Sequence, residues 1–162
     1  EGGYFPYTPP TQLFHGLRAS LDLIFEEGLD NVIARHRRLA EGVRRGIHAM
    51  GLDLVAEHPS LYSDTVSAIR VPAEVDARDV LRIAYERYRT SFGSGLAKLN
   101  GKVFRIGHLG DLNEGMCLTA LSVAEMALAE AGMQVEFGRG PAAAMAWFTG
   151  QAESPALRVA AE

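Results

Sequence analysis

The chain has 162 residues, of which 48% are apolar and 22% charged, with a formal net charge of −4. That length suits one domain burying about two-thirds of its unfolded surface, and no apolar run reaches the roughly 20 residues that span a bilayer. The acidic balance argues against a nucleic-acid partner, which favours a basic surface.

Residues 1–10 are rich in Gly, Pro and aromatics and read as an extended arm, because residues before proline are pushed out of the helical region. The arm has no basic segment followed by an apolar core, so no secretory leader is expected. Thr11 is placed to cap a helix whose Leu13, Leu17, Leu21 and Ile24 form one stripe, ending at Gly28. A second helix is predicted over residues 30–50. Val32, His36, Leu39, Val43, Ile47 and Met50 share one face of it, while Arg35, Arg37, Arg38, Arg44 and Arg45 are expected on a solvated one. His36, on the apolar side, reads as a hydrogen-bonded core histidine.

Strands are predicted at residues 52–56, 65–71 and 90–92, the second closed by Pro72. Asp76 with Asp79 resembles a capping box, opening a third helix that turns Val80, Leu81, Ala84 and Tyr88 inward. The glycine-bearing loop 93–102 invites a phosphate-cradle reading, but its spacing fails. Five residues instead of four separate Gly95 from Gly101-Lys102, and Val103 stands where a Ser or Thr is needed. It is expected to be a flexible rim.

The fourth predicted strand, Val103-Phe104-Arg105-Ile106-Gly107, holds the most informative residue. Side chains alternate in a strand, so Phe104 and Ile106 share one face and Val103, Arg105 and Gly107 the other. Arg105 thus projects beside bare backbone, where a planar fork of donors suits a carboxylate or phosphate. The bland alternative is an edge Arg paired with a Glu or turned to water. His108, Asp111 and Glu114 recur every third residue, but Gly107 and Gly110 favour a turn over a metal site. Asn113 can cap a last long helix with Cys117, Leu121, Ala124 and Leu128 buried, and residues 141–148 suit a short helix before a loose tail, 151–162. Cys117 is the one cysteine, which excludes an internal disulfide and fits a reducing, cytoplasmic setting. The element order describes a mixed α/β layer, a small and mainly antiparallel sheet covered by helices.

Gly101 to Gly110 with Asp111-Leu112-Asn113-Glu114 resembles the carboxylate-binding strand and turn of class V pyridoxal-phosphate aminotransferases, in their serine-glyoxylate and alanine-glyoxylate branch. Tyr7-Thr8-Pro9-Pro10, Gly16-Leu17-Arg18, Glu26-Glu27-Gly28-Leu29 and Gly95-Leu96 are similar to that branch too, so the likeness runs from about Tyr4 to Gly132. It implies the small C-terminal domain of fold-type I enzymes, with residues 1–28 as an arm and the last helix of the large domain, 29–150 as the small domain and 151–162 as a tail. It implies pyridoxal 5'-phosphate as cofactor, small amino acids and 2-oxo acids as substrates, and a homodimer with shared active sites. By the resemblance, Arg105 clamps the substrate carboxylate, Thr8 bonds the cofactor phosphate of the neighbouring subunit, and His108 lines the site or bridges to solvent. Phe5 stands where some relatives carry a phosphate-bonding Tyr.

The chemistry also needs a Schiff-base lysine. Only Lys98 and Lys102 occur, and neither matches the family's lysine, which lies upstream in the large domain. The chain is therefore expected to be part of a longer enzyme and inactive alone. The competing reading is a stand-alone carboxylate-binding or interaction module without catalysis.

Overall fold

The structure, a computed structural model, describes residues 3–150. The chain divides into two compact units, up to Arg35 and from His36 on.

The first unit holds the arm, helix α1 (Thr11–Glu27) and the start of helix α2 (Leu29–Ala49). Thr11 does not cap α1. Pro10 is the capping position, without a side-chain bond, and Thr11 is the first helical residue, its N–H donating to Pro9 O. No residue of α1 is buried. Gly28, at φ 88°, closes α1 with its N–H on Ile24 O. Arg35 Nε reaches Glu27 Oε1 at 2.7 Å.

In the second unit follow strand β1 (Val66–Arg70), helix α3 (Ala77–Tyr88), the two-residue strand β2 (Gly93–Ser94), strand β3 (Val103–Gly107), helix α4 (Glu114–Glu130) and helix α5 (Arg139–Phe148). The sheet is antiparallel with β3 in the middle, in the order β1-β3-β2. One of its faces carries Ile69, Phe104 and Ile106, all buried in a core with Leu39, Val43 and Ile47 of α2 and Leu121, Ala124 and Leu128 of α4. Glycines let α2 approach its neighbours. A Cβ at Gly42 would lie 2.2 Å from the Phe148 ring, and one at Gly46 would lie 2.7 Å from Leu121 Cδ1.

Caps fall where the residue types predict. Asp76 accepts from Arg78 N at 2.8 Å and Asn113 from Met116 N at 3.0 Å. The reciprocal half of the box at Asp76 is missing because Asp79 pairs with Arg82.

Two expected strands shrink. Residues 52–56 give a single bridge, Leu54 to Ile69. Residues 90–92 are not strand, because Thr90 N bonds Ala84 O at the end of α3 and Phe92 turns in to pack on Phe104, ring centroids 5.7 Å apart. Pairing begins one residue later, at Gly93. The arginines of α2 are not a simple solvated face either. Arg44 is buried, donates Nη1 to Ser63 O and lies over the Tyr62 ring, while Arg45 lies over Trp147 at 4.4 Å and Arg38 over Phe148. Long guanidinium side chains cover aromatic surface at little desolvation cost.

Candidate active site

Arg105 sits at the centre of the middle strand, opposite Ala68 on β1 and Gly93 on β2. Directly paired residues share a face of the sheet, so the guanidinium stands between a methyl group and a bare backbone, on the face away from the core. Its Nε donates to Ser94 O at 2.9 Å. Among the described residues, no carboxylate pairs with it. The Nε anchor fixes the plane of the group and leaves the Nη1–Nη2 end for an incoming anion.

The loop expected to be a flexible rim is tied down. Gly95 N donates to Val103 O, residues Ala97–Leu99 form a single 3-10 turn, and Lys102 N closes onto Leu99 O. Gly95 is required by space, since a Cβ there would lie 2.2 Å from Leu99 O. Lys98 and Lys102 are exposed on this loop.

His108 follows β3 but points inward. It is 1% exposed, with Nδ1 on Asp64 O at 3.2 Å and Nε2 on Ser67 Oγ at 2.9 Å. A carbonyl only accepts, so Nδ1 carries the proton and Ser67 Oγ–H donates to Nε2. Burial, helped by nearby Arg44, holds its pKa below the usual value against the opposing pull of the Asp64 carbonyl. Enclosed among the described residues, it does not reach solvent. His36 binds the same loop from α2, its Nε2 accepting from Gly110 N at 2.9 Å. Glu114 pairs with Arg38. No group of three His, Cys, Asp or Glu able to hold a metal occurs among the described residues.

Two apolar recesses adjoin the sheet. One, about 180 Å³, lies at the end of β3 among Phe92, Ile106, Gly107, Met116 and Cys117, and the other, about 260 Å³, lies beside β1 against Arg44 and Tyr62. Arg105 lines neither. Thr8 is exposed in the arm, and Phe5 packs on Phe14 with ring centroids 5.8 Å apart. The described residues thus offer an exposed hydroxyl at Thr8 in the first unit and, separately, the fork of Arg105 in the second.

No model of a known protein family matches the chain. Individual proteins do. The serine–glyoxylate aminotransferase of Hyphomicrobium methylovorum is 57% identical over 156 residues, 96% of this chain and 38% of that enzyme. The serine–glyoxylate aminotransferase of Arabidopsis thaliana is 50% identical over 143 residues, 88% of this chain and 36% of that enzyme. The crystal structure of pyridoxamine–pyruvate aminotransferase from Mesorhizobium loti superposes with a TM-score of 0.86 at 36% identity, covering 92% of this chain and 38% of that one. Over nearly all of its length the chain is homologous to one part of these aminotransferases. It spans little more than a third of the length of these relatives.

Alternation places Arg105 on the face away from Phe104 and Ile106, as the structure has it, but does not show what holds it. The signal for Gly93 and Ser94 is the close spacing of Gly93 and Gly95. Glycine inside a strand marks a place where another group approaches closely.

Proposed function

We propose that this chain is the C-terminal part of a pyridoxal-phosphate-dependent aminotransferase that moves an amino group between a small amino acid, serine or alanine, and a 2-oxo acid, glyoxylate or pyruvate. The observation that carries this reading is Arg105. It is anchored at Nε to Ser94 O and engaged by no carboxylate among the described residues, on the open face of a sheet homologous to that of known aminotransferases. Both substrate classes share one feature, a carboxylate next to the reacting carbon. A fork on a rigid middle strand holds that carboxylate, and so the reacting carbon, at a fixed place.

Thr8 supplies a hydroxyl for the cofactor phosphate of a second subunit, which makes the enzyme a homodimer with shared sites. His108 acts from beneath, keeping the end of β3 in place through Asp64 and Ser67. The bound cofactor would supply the electron sink for the amino transfer, and its lysine would come from the remaining two-thirds of the enzyme. We place the enzyme in the cytoplasm, where a chain with one thiol and no disulfide is at home.

The test is Arg105→Lys in the full-length enzyme. A point charge cannot reproduce the fork, so KM for amino donor and oxo acceptor should rise together, roughly ten- to a hundredfold. Unchanged KM values would remove Arg105 from this role. The 162-residue chain alone should show no transamination, and tight binding of a simple monocarboxylate by that isolated chain would instead favour a stand-alone binding module.

A further inference from the structure

We infer that Gly93 is a positioning residue for the carboxylate grip of Arg105, and that β2 exists to provide the guanidinium with a floor and an anchor. The inference rests on the reading of Arg105 given above.

Gly93 is the register partner of Arg105 across β2 and β3. A Cβ built on Gly93 would lie 3.2 Å from Arg105 Cβ, 3.1 Å from Nε and 3.3 Å from Nη2. Three atoms from the root to the tip of one side chain are thus all in tight contact with one point, so the arginine lies along the Gly93 backbone instead of standing away from it. The next residue, Ser94, accepts the Nε hydrogen bond through its carbonyl at 2.9 Å. One dipeptide therefore sets both the height of the guanidinium above the sheet and its rotation.

Two consequences follow from this geometry. With Nε engaged, the side-on mode of gripping a carboxylate through Nε and Nη2 is closed, and the end-on mode through Nη1 and Nη2 remains. Such a grip fits a single carboxylate approaching along the side chain's axis, as a small amino acid or 2-oxo acid would. Moreover, Gly93 is not required by backbone conformation, because its φ lies outside the positive region that favours glycine. What it supplies is space. An alanine there presses on the arginine from root to tip: the guanidinium can swing aside, while Arg105 Cβ, 3.2 Å away, yields only if the two strands part by a few tenths of an ångström.

This makes Gly93→Ala a selective probe in the full-length enzyme, measured beside Arg105→Ala and the double variant. Gly93→Ala should raise KM for donor and acceptor together by roughly tenfold, with a smaller fall in kcat and no more than a small drop in the thermal midpoint. Gly93→Ser, which adds the same Cβ, should do likewise and guards against an accident of one variant's folding. The deciding measurement is the double variant. If Gly93 acts through Arg105, adding Gly93→Ala to Arg105→Ala should change KM no further. Equal effects of Gly93→Ala with and without Arg105 would overturn the positioning role. So would an unchanged KM in Gly93→Ala while Arg105→Ala raises it. An Arg105→Ala enzyme with unaltered KM values would instead bring down the reading of Arg105, and the inference with it.

Discussion

Cys117 and His108 are both sealed in the core beside the Arg105 strand, and burial acts on each in a measurable way. Cys117 is 3% exposed and its pKa is pushed up to about 11 by desolvation, with Glu114 adding to the rise. The thiolate is the nucleophile, so the folded chain should resist iodoacetamide at neutral pH and become reactive only when unfolded in urea. Labelling at the folded-state rate of an exposed thiol would contradict this. For His108 the depressed pKa means that the unfolded chain takes up the proton first as pH falls. Stability is then full above the unfolded value, 6.5, and declines as pH drops below it until the lower folded value is reached. The charged groups facing the ring are Arg44 and Asp64. His108→Gln should lower the unfolding midpoint at about pH 8, by a loss of about 1–3 kcal/mol for the disturbed buried pair, and should flatten the decline toward about pH 5.5. A variant with the wild-type slope would show that another group titrates. Arg105 was legible because alternation needs only the sequence, and Phe104 and Ile106 marked the core face. The inward turn of His108 was not, because its partners lie 41 and 44 residues away, on and just before β1.

At the scale of elements, helices read far better than strands. The stripe Cys117, Leu121, Ala124, Leu128 and the cap at Asn113 are local patterns, complete within one helix, and α4 carries them as the spacing predicts. Strand β2 is two residues long and owes its place to Arg105 and Phe104 across the ladder, which no propensity at Thr90, Ser91 or Phe92 encodes. Likewise, Glu125 is buried in α4 because its carboxylate accepts from Gly138 N and Gly140 N at the start of α5, a contact between elements that periodicity cannot show. The glycines of α2 set two effects against each other. By propensity alone, Gly46→Ala would stabilise a helix by about 1 kcal/mol. Here the added Cβ would lie 2.7 Å from Leu121 Cδ1, 2.9 Å from Cδ2 and 3.0 Å from Gly140 O, and a backbone oxygen has little freedom to yield. Overpacking costs about 1–3 kcal/mol, so the net effect should be destabilising, read as a lower urea midpoint with an unchanged m-value. A raised midpoint would mean that α4 and α5 can move back from α2 without loss.

For the whole molecule, the contrast between the two units decides what the isolated chain can do. The second unit has its own core, with Phe104, Leu121 and Ile47 fully buried. In the first unit, α1 buries nothing, and Leu13, Leu17, Leu23 and Phe25 are all more than half exposed. An amphipathic helix draws most of its stability from the surface its apolar side covers, and apolar groups left this open promote association. Under the proposed function, the rest of the enzyme and its second subunit would cover them. Deleting residues 1–28 leaves α2 whole and removes no buried side chain of α1. The truncated chain should therefore keep the unfolding midpoint of the 162-residue chain, while losing both its self-association in sedimentation and its binding of an apolar dye. A clear fall in the midpoint would show that α1 stabilises the core after all. Undiminished dye binding would place the sticky surface on the second unit.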